Sequence, residues 1–186
     1  MQEPTKKGIG YKLFKTKKNE PGKLFPLFVD TDNEILIGEW LDAKCGEKTS
    51  DGKVKSSLGS LCYRPGWHLT DIPYVTHIGI KGDSGNIEYL NPNHIWCEVE
   101  YSTEINYQDE ANFNGTNKKG IVVPKNAYLT HIPTNGYYRY KTNPNMFGDW
   151  IIAGAIKVNR IISDEEVVEI CNEHNLHPLP RYKKIS

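Results

Sequence analysis

Nowhere does this sequence run to the roughly 18 apolar residues that a membrane-spanning helix requires, and it opens without the charged-then-apolar leader of an exported protein. Those two absences give the expectation of a cytoplasmic protein with no membrane partner. Cysteine is scarce and dispersed. Cys45, Cys62, Cys97 and Cys171 form no CxxC pair, so free and mostly buried thiols in a reducing compartment are expected, not a disulfide frame. Neither sign of charge is in excess: 23 Lys+Arg stand against 23 Asp+Glu. A zero net charge supplies no global pull toward nucleic acid or a lipid surface. The phosphate-cradling GxxxxGK[ST], the dinucleotide-binding GxGxxG and the nucleophile-elbow GxSxG patterns are missing. Cys171, His174 and His177 have the residue types of a zinc site, but their spacing drifts off one helix face and no second Cys/His group completes the ligands. No metal is expected.

What is present is aromatic and turn-rich: eleven Tyr, four Trp, sixteen Gly and eleven Pro. That mix predicts short strands and turns. Residues 11–15 and 23–29 read as a hairpin, with Pro26 at an edge, and 35–40 as a further extended segment. Residues 45–60 read as a long polar surface loop. Asp71 is placed to start a short helix ending near 77–79. His94–Tyr101 alternates, with Ile95, Cys97 and Val99 on the buried face. Residues 106–121 read as mainly loop with room for one helical turn, 128–132 and 136–141 as strands, Asn143-Pro144-Asn145 as a break, and 150–159 as one buried strand. Ser163 opens the best helix, with Glu166 three residues on, Val167, Val168 and Cys171 on one side, and Asn175 to cap its end. The order is that of an α+β fold: a single strand-rich domain over 1–186 with short helices, a capped C-terminal helix and loose lysine-rich ends at 1–10 and 179–186.

Two stretches carry the candidate chemistry. In Tyr63–Asp71, Pro65-Gly66 imposes a turn, with proline fixing φ and glycine accepting a positive φ. The turn hands Arg64, Trp67, His68 and Thr70 to whatever the domain surrounds. In residues 136–141, Tyr138 and Tyr140 share one strand face, while Tyr137, Arg139 and Lys141 share the other. Aromatic platforms beside guanidinium and imidazole groups suit flat rings joined by phosphates, in a dinucleotide or in single-stranded nucleic acid. Asp149 stands before the apolar strand, where a carboxylate is rigidly held.

Gly52–Ser56, Tyr63–His68, Gly136–Asn145 and Gly148–Asn159 resemble, across the whole chain, a domain of phages and mobile elements of gut bacteria, found also within large polyvalent proteins. That resemblance implies a bacterial host cytoplasm and a host macromolecule, protein or nucleic acid, as partner. Residues 58–170 also resemble the ADP-ribosyltransferase fold. Gly66–Thr70 matches its nicotinamide-framing strand, Ile95–Tyr101 its middle strand, and Trp150–Ile156 leading to Asp164–Ile170 its closing strand and following segment. This second resemblance implies NAD as cofactor. Asp149 takes the place of the family's glutamate, which is absent, and steadies the ribosyl cation. His68 and Tyr138 hold NAD, with Arg64, Trp67, Thr70, Arg139 and Tyr140 lining the ligand site. The expected function is nucleotide binding, extending to ADP-ribose transfer. The alternatives are a non-catalytic protein-binding module, which needs a contiguous exposed aromatic patch, and a single-stranded nucleic-acid binder.

Overall fold

A computed structural model describes residues 1–57, 59–142 and 146–184. The hairpin forms as β1 (Lys7–Lys17) and β2 (Glu20–Phe25), turning at Lys18-Asn19. Lys7–Gly10, assigned to the loose N-terminus from sequence, belong to β1 and pair with the strand at 99–102. The extended segment at 35–40 makes only single bridges, at Ile35 and Ile37, before the short β3 (Trp40–Asp42). The polar stretch 45–60 is not all loop. Val54 is buried, and around it β4 (Lys53–Ser56) pairs with β5 (Gly59–Cys62) as a separate ribbon.

Gly66 takes φ +128° and leads into β6 (Trp67–Thr70). The expected helix after Asp71 does not form, and residues 71–79 bend irregularly. The Thr70 hydroxyl donates to the Ile72 carbonyl at 2.6 Å, and the Asp71 carboxylate is drawn to Arg139 instead of capping. A small ribbon of β7 (Ile80–Lys81) and β8 (Ile87–Tyr89) precedes β9 (His94–Ser102). On β9, Cys97 and Val99 are fully buried as expected, but Trp96 is also buried because a helix covers its face. After β10 (Ile105–Asn106), residues expected as mainly loop form α1 (Gln108–Asn114). Asp109 and Glu110 suit its first turn and Ala111 is buried. Residues 128–132 are irregular, not a strand, yet bury Leu129 and Ile132. β11 (Gly136–Tyr140) forms as expected; the break assigned to 143–145 lies outside the described residues. The apolar strand at 150–159 is two strands, β12 (Trp150–Ala153) and β13 (Ala155–Ile161).

α2 (Asp164–Glu173) follows with Ser163 as N-cap, its Oγ accepting from the Glu166 N–H at 3.1 Å. The Glu166 carboxylate does not close a capping box; it pairs with Arg160. Val167 and Cys171 face inward, and Val168 is exposed. At the other end Asn175 takes φ +59°, and the N–H groups of Asn175 and Leu176 bond back to the Asn172 and Cys171 carbonyls, both at 3.0 Å, a Schellman cap. Of the end assigned as loose at 179–186, residues 185–186 lie outside the described residues, and Arg181 ties the rest down by binding Asp164 and the Asn91, Pro92 and His94 carbonyls.

The main sheet runs β10-β11-β12-β6-β1-β9-β13-β3, with β2 beside β1. Only Gly154 separates β12 from β13, yet β6, β1 and β9 lie between them in the sheet. The sheet therefore curls, so that one bent segment supplies the strand on each side of the β6, β1 and β9 group. Its inner face is packed by Phe14, Leu69, Val99, Ile151 and Ile156. Outside, α2 covers Leu13 and Trp96, while α1 and residues 127–132 cover Tyr138, Tyr140, Trp150 and Ile152. Among the described residues no helix is long and apolar enough to cross a membrane.

Candidate ligand site

Strand register decides which candidate residues meet. Across β6, β12 and β11 the rows are Thr70–Trp150–Tyr140, Leu69–Ile151–Arg139, His68–Ile152–Tyr138 and Trp67–Ala153–Tyr137. Successive residues point to opposite faces. His68, Thr70, Tyr138 and Tyr140 therefore lie on the outer face beneath α1, while Trp67 and Arg139 lie on the inner one. The eight candidates do not line one pocket.

Arg64 joins the outer group. Its guanidinium lies 3.9 Å from the centre of the Tyr140 ring, held there because Nε donates to the Ala127 carbonyl at 3.0 Å and Nη2 to the Lys125 carbonyl at 2.9 Å. Among the described residues no carboxylate pairs with it. The charge is thus fixed by neutral groups alone, an arrangement that leaves its field available to an anion.

Beside it, the His68 ring meets the edges of Tyr140 and Trp150 at 6.0 and 5.9 Å. Its Nδ1 lies 3.2 Å from the Gly66 carbonyl. A carbonyl only accepts, so Nδ1 carries the proton and Nε2 is left as an acceptor. Burial, helped by the positive charge of Lys12, pushes His68 down to about 3, so the ring is neutral at physiological pH. Tyr138 is fully buried and its hydroxyl makes no hydrogen bond, although Arg64 and the Leu129 backbone are near. Burial raises its phenol well above the ordinary range, and Arg64 opposes that shift. Thr70 is occupied structurally by the Ile72 and Tyr11 carbonyls.

On the inner face Trp67 donates from Nε1 to the Leu41 carbonyl at 3.0 Å. The Lys12 ammonium lies 5.4 Å from the Trp67 ring centre and donates to the His68 carbonyl at 3.1 Å; burial lowers it to about 8. Arg139 forms a two-pronged pair with Asp71, at 2.7 and 2.9 Å. That pair is the main reason its guanidinium is held still more firmly charged, and Asp149 adds to it more weakly. Asp149 therefore attends Arg139, not the cluster of Arg64 and His68.

Hollows occur elsewhere. One of about 290 Å³ lies between α2 and residues 177–181, and another of about 540 Å³ opens between residues 28–31, 44–47 and 55–57. Neither is lined by a candidate residue. The tyrosine platform proposed for single-stranded nucleic acid is not at the surface, since Tyr138 and Tyr140 are buried and, of the tyrosines on that strand, only Tyr137 is half-exposed. Cys45 and Cys62 are exposed, against the expectation of mostly buried thiols, because they lie at the β4–β5 ribbon away from the main core. Among the described residues no group of three or more His, Cys, Asp or Glu is placed to hold a metal.

Sequence reasoning missed Trp150 as the edge partner of His68, and the backbone at 125–127 as the clamp on Arg64. One signal for this region was legible. From residue 111 to residue 148 the chain has no Asp or Glu, while Lys118, Lys119, Lys125, Arg139 and Lys141 all fall there. In a neutral protein that run marks a locally positive stretch of chain, with Arg139 neutralised by Asp71 on the inner face. Neither a protein-family model, nor a curated protein, nor a solved structure matches the chain.

Proposed function

We propose that this protein binds an anionic, nucleotide-type ligand at the cluster of Arg64, His68, Tyr138 and Tyr140. The observation that carries the reading is Arg64 itself: a guanidinium clamped by two backbone carbonyls over a tyrosine ring, with no carboxylate partner among the described residues. A phosphate would take the open side of the guanidinium, and a base or ribose would have the half-buried His68 Nε2 as a hydrogen-bond acceptor, with the buried Tyr138 backing the ring layer behind it. Titration with ADP-ribose, NAD and pyrophosphate, followed by calorimetry, tests this. Binding is expected to fall at least about tenfold in Arg64→Gln, the loss typical of a charge-assisted contact, and less in Arg64→Lys. Absence of binding by all three compounds, or equal affinity in Arg64→Gln, rejects the site.

Transfer of ADP-ribose is the finer form of the same reading, in the phage or mobile-element setting and on the host acceptor that the sequence resemblances imply. It needs Asp149 to reach the ribose while His68 and Tyr138 hold the nicotinamide end. Asp149 attends Arg139 on the other side of β12, so the arrangement supports binding more strongly than transfer. Labelled NAD, with Asp149→Ala and His68→Ala as controls, separates the two.

A further inference from the structure

The outer layer has a second feature that the Arg64 cluster does not use. The C-terminal end of α1 and residues 116–128 form one hydrogen-bonded unit. The Gly115 and Thr116 N–H groups bond to the Ala111 and Phe113 carbonyls, Thr116 bridges Val122, and the Asn117 N–H bonds to the Ile121 carbonyl at 2.9 Å. Asn114 Nδ2 donates to the Tyr128 carbonyl at 3.0 Å, and the Tyr128 N–H returns to Ala111. The inner side of the unit buries Ala111, Ala127 and Leu129.

Its outer side is apolar as well. Phe113 is 79% exposed, the highest value among the large hydrophobic residues described, and Ile121, Val122 and Tyr128 are exposed with it. Holding a phenyl ring in water forgoes about 1.5–3 kcal/mol that burial would supply. A scattered exposed hydrophobe needs no explanation, but several on one fixed unit mark an interaction surface. The same unit carries exposed Lys118, Lys119 and Lys125 beyond the end of α1, while the exposed Asp109 and Glu110 stand one helical turn before Phe113.

We infer that this unit docks an acidic segment of another protein, one that interleaves carboxylates with large apolar side chains. Charge complementarity selects the sign of the partner: residues 116–128 hold three exposed lysines and no acid, and the two carboxylates of α1 lie only on the far side of Phe113. The apolar residues select its other half, because Phe113 and Tyr128 are of the type that anchors protein interfaces. Phosphate backbone alone would leave Ile121 and Val122 in water. A lipid surface is met by longer amphipathic helices, and α1 has seven residues.

Fluorescence anisotropy on the intact protein tests the inference. The probes are a short labelled peptide alternating Glu with Leu and Phe, an all-Glu peptide, a Lys/Leu/Phe peptide, an oligothymidylate and phosphatidylglycerol vesicles. The acidic–apolar peptide is expected to bind saturably and best. Phe113→Ser is expected to weaken it about tenfold or more, and the Lys118→Glu/Lys119→Glu pair is expected to weaken it and flatten its salt dependence. Both changes are at exposed positions, and matching circular dichroism confirms that the variants fold. Failure of that peptide to bind, tighter binding of the oligonucleotide, the vesicles or either other peptide, or full affinity in Phe113→Ser overturns the inference.

Discussion

His68 looks in sequence like a side chain aimed at a ligand, and in the fold it is also a stability element. In the unfolded chain it titrates near 6.5, whereas burial holds it neutral down to about 3. Between those values the unfolded chain binds the extra proton. The stability that His68 contributes is therefore complete above about pH 6.5 and is lost as pH falls toward 3. His94, lowered to about 4 mainly by burial, acts with the same sign. Urea midpoints are expected to fall between pH 7 and pH 4. His68→Gln should shrink that fall by on the order of 1–3 kcal/mol; an unchanged slope in the variant would show that the ring is solvated.

At the scale of elements, Gly154 decides the architecture. A Cβ built there would lie 1.8 Å from the Pro133 carbonyl oxygen, a contact that backbone movement alone can relieve. Gly154→Ala is expected to cost more than about 3 kcal/mol, read as a urea midpoint shift, and a shift near zero would mean that residues 133–134 yield freely. The sequence shows one apolar strand here because periodicity reports burial, not which neighbours a strand takes. The capped helix was legible for a local reason: Ser163, the acids after it and Asn175 act within a few residues of themselves. The hairpin of β1 and β2 was legible on the same ground. The missing helix at 71–79 was not, because its intended cap, Asp71, is claimed by Arg139 from a strand far along the chain. Likewise the alternation of Tyr138 and Tyr140 was readable, but not that α1 covers their face, since that depends on a layer packed from elsewhere.

Over the whole molecule, order should be uneven. β1, β9, β12 and β13 carry the paired, fully buried positions, whereas the ribbon of β4 and β5 pairs with no strand of the main sheet, only with itself and the segment around Lys48, and has Val54 as its one buried residue. Hydrogen exchange is expected to be fastest at residues 53–56 and 60–62 among the strands of four or more residues, and slowest at Cys97–Val99 and Ile156–Val158. Comparable protection of the ribbon would mean that it docks on the main sheet. The neutral total charge conceals a similar unevenness, with the acid-free stretch 111–148 on one side and Glu98, Glu100 and Glu166 meeting Lys157 and Arg160 on another.

The curled sheet also sets the order in which the chain can organise itself. Lys7 waits for Ser102, and Trp67 for Ala153, before either finds its partner. Because β12 and β13 leave Gly154 for opposite sides of β6, β1 and β9, neither side can be finished first and kept. Loop closures of that length are slow, and they reward the chain only once made. The protein should therefore assemble late and in one step, with no stable half-sheet on the way.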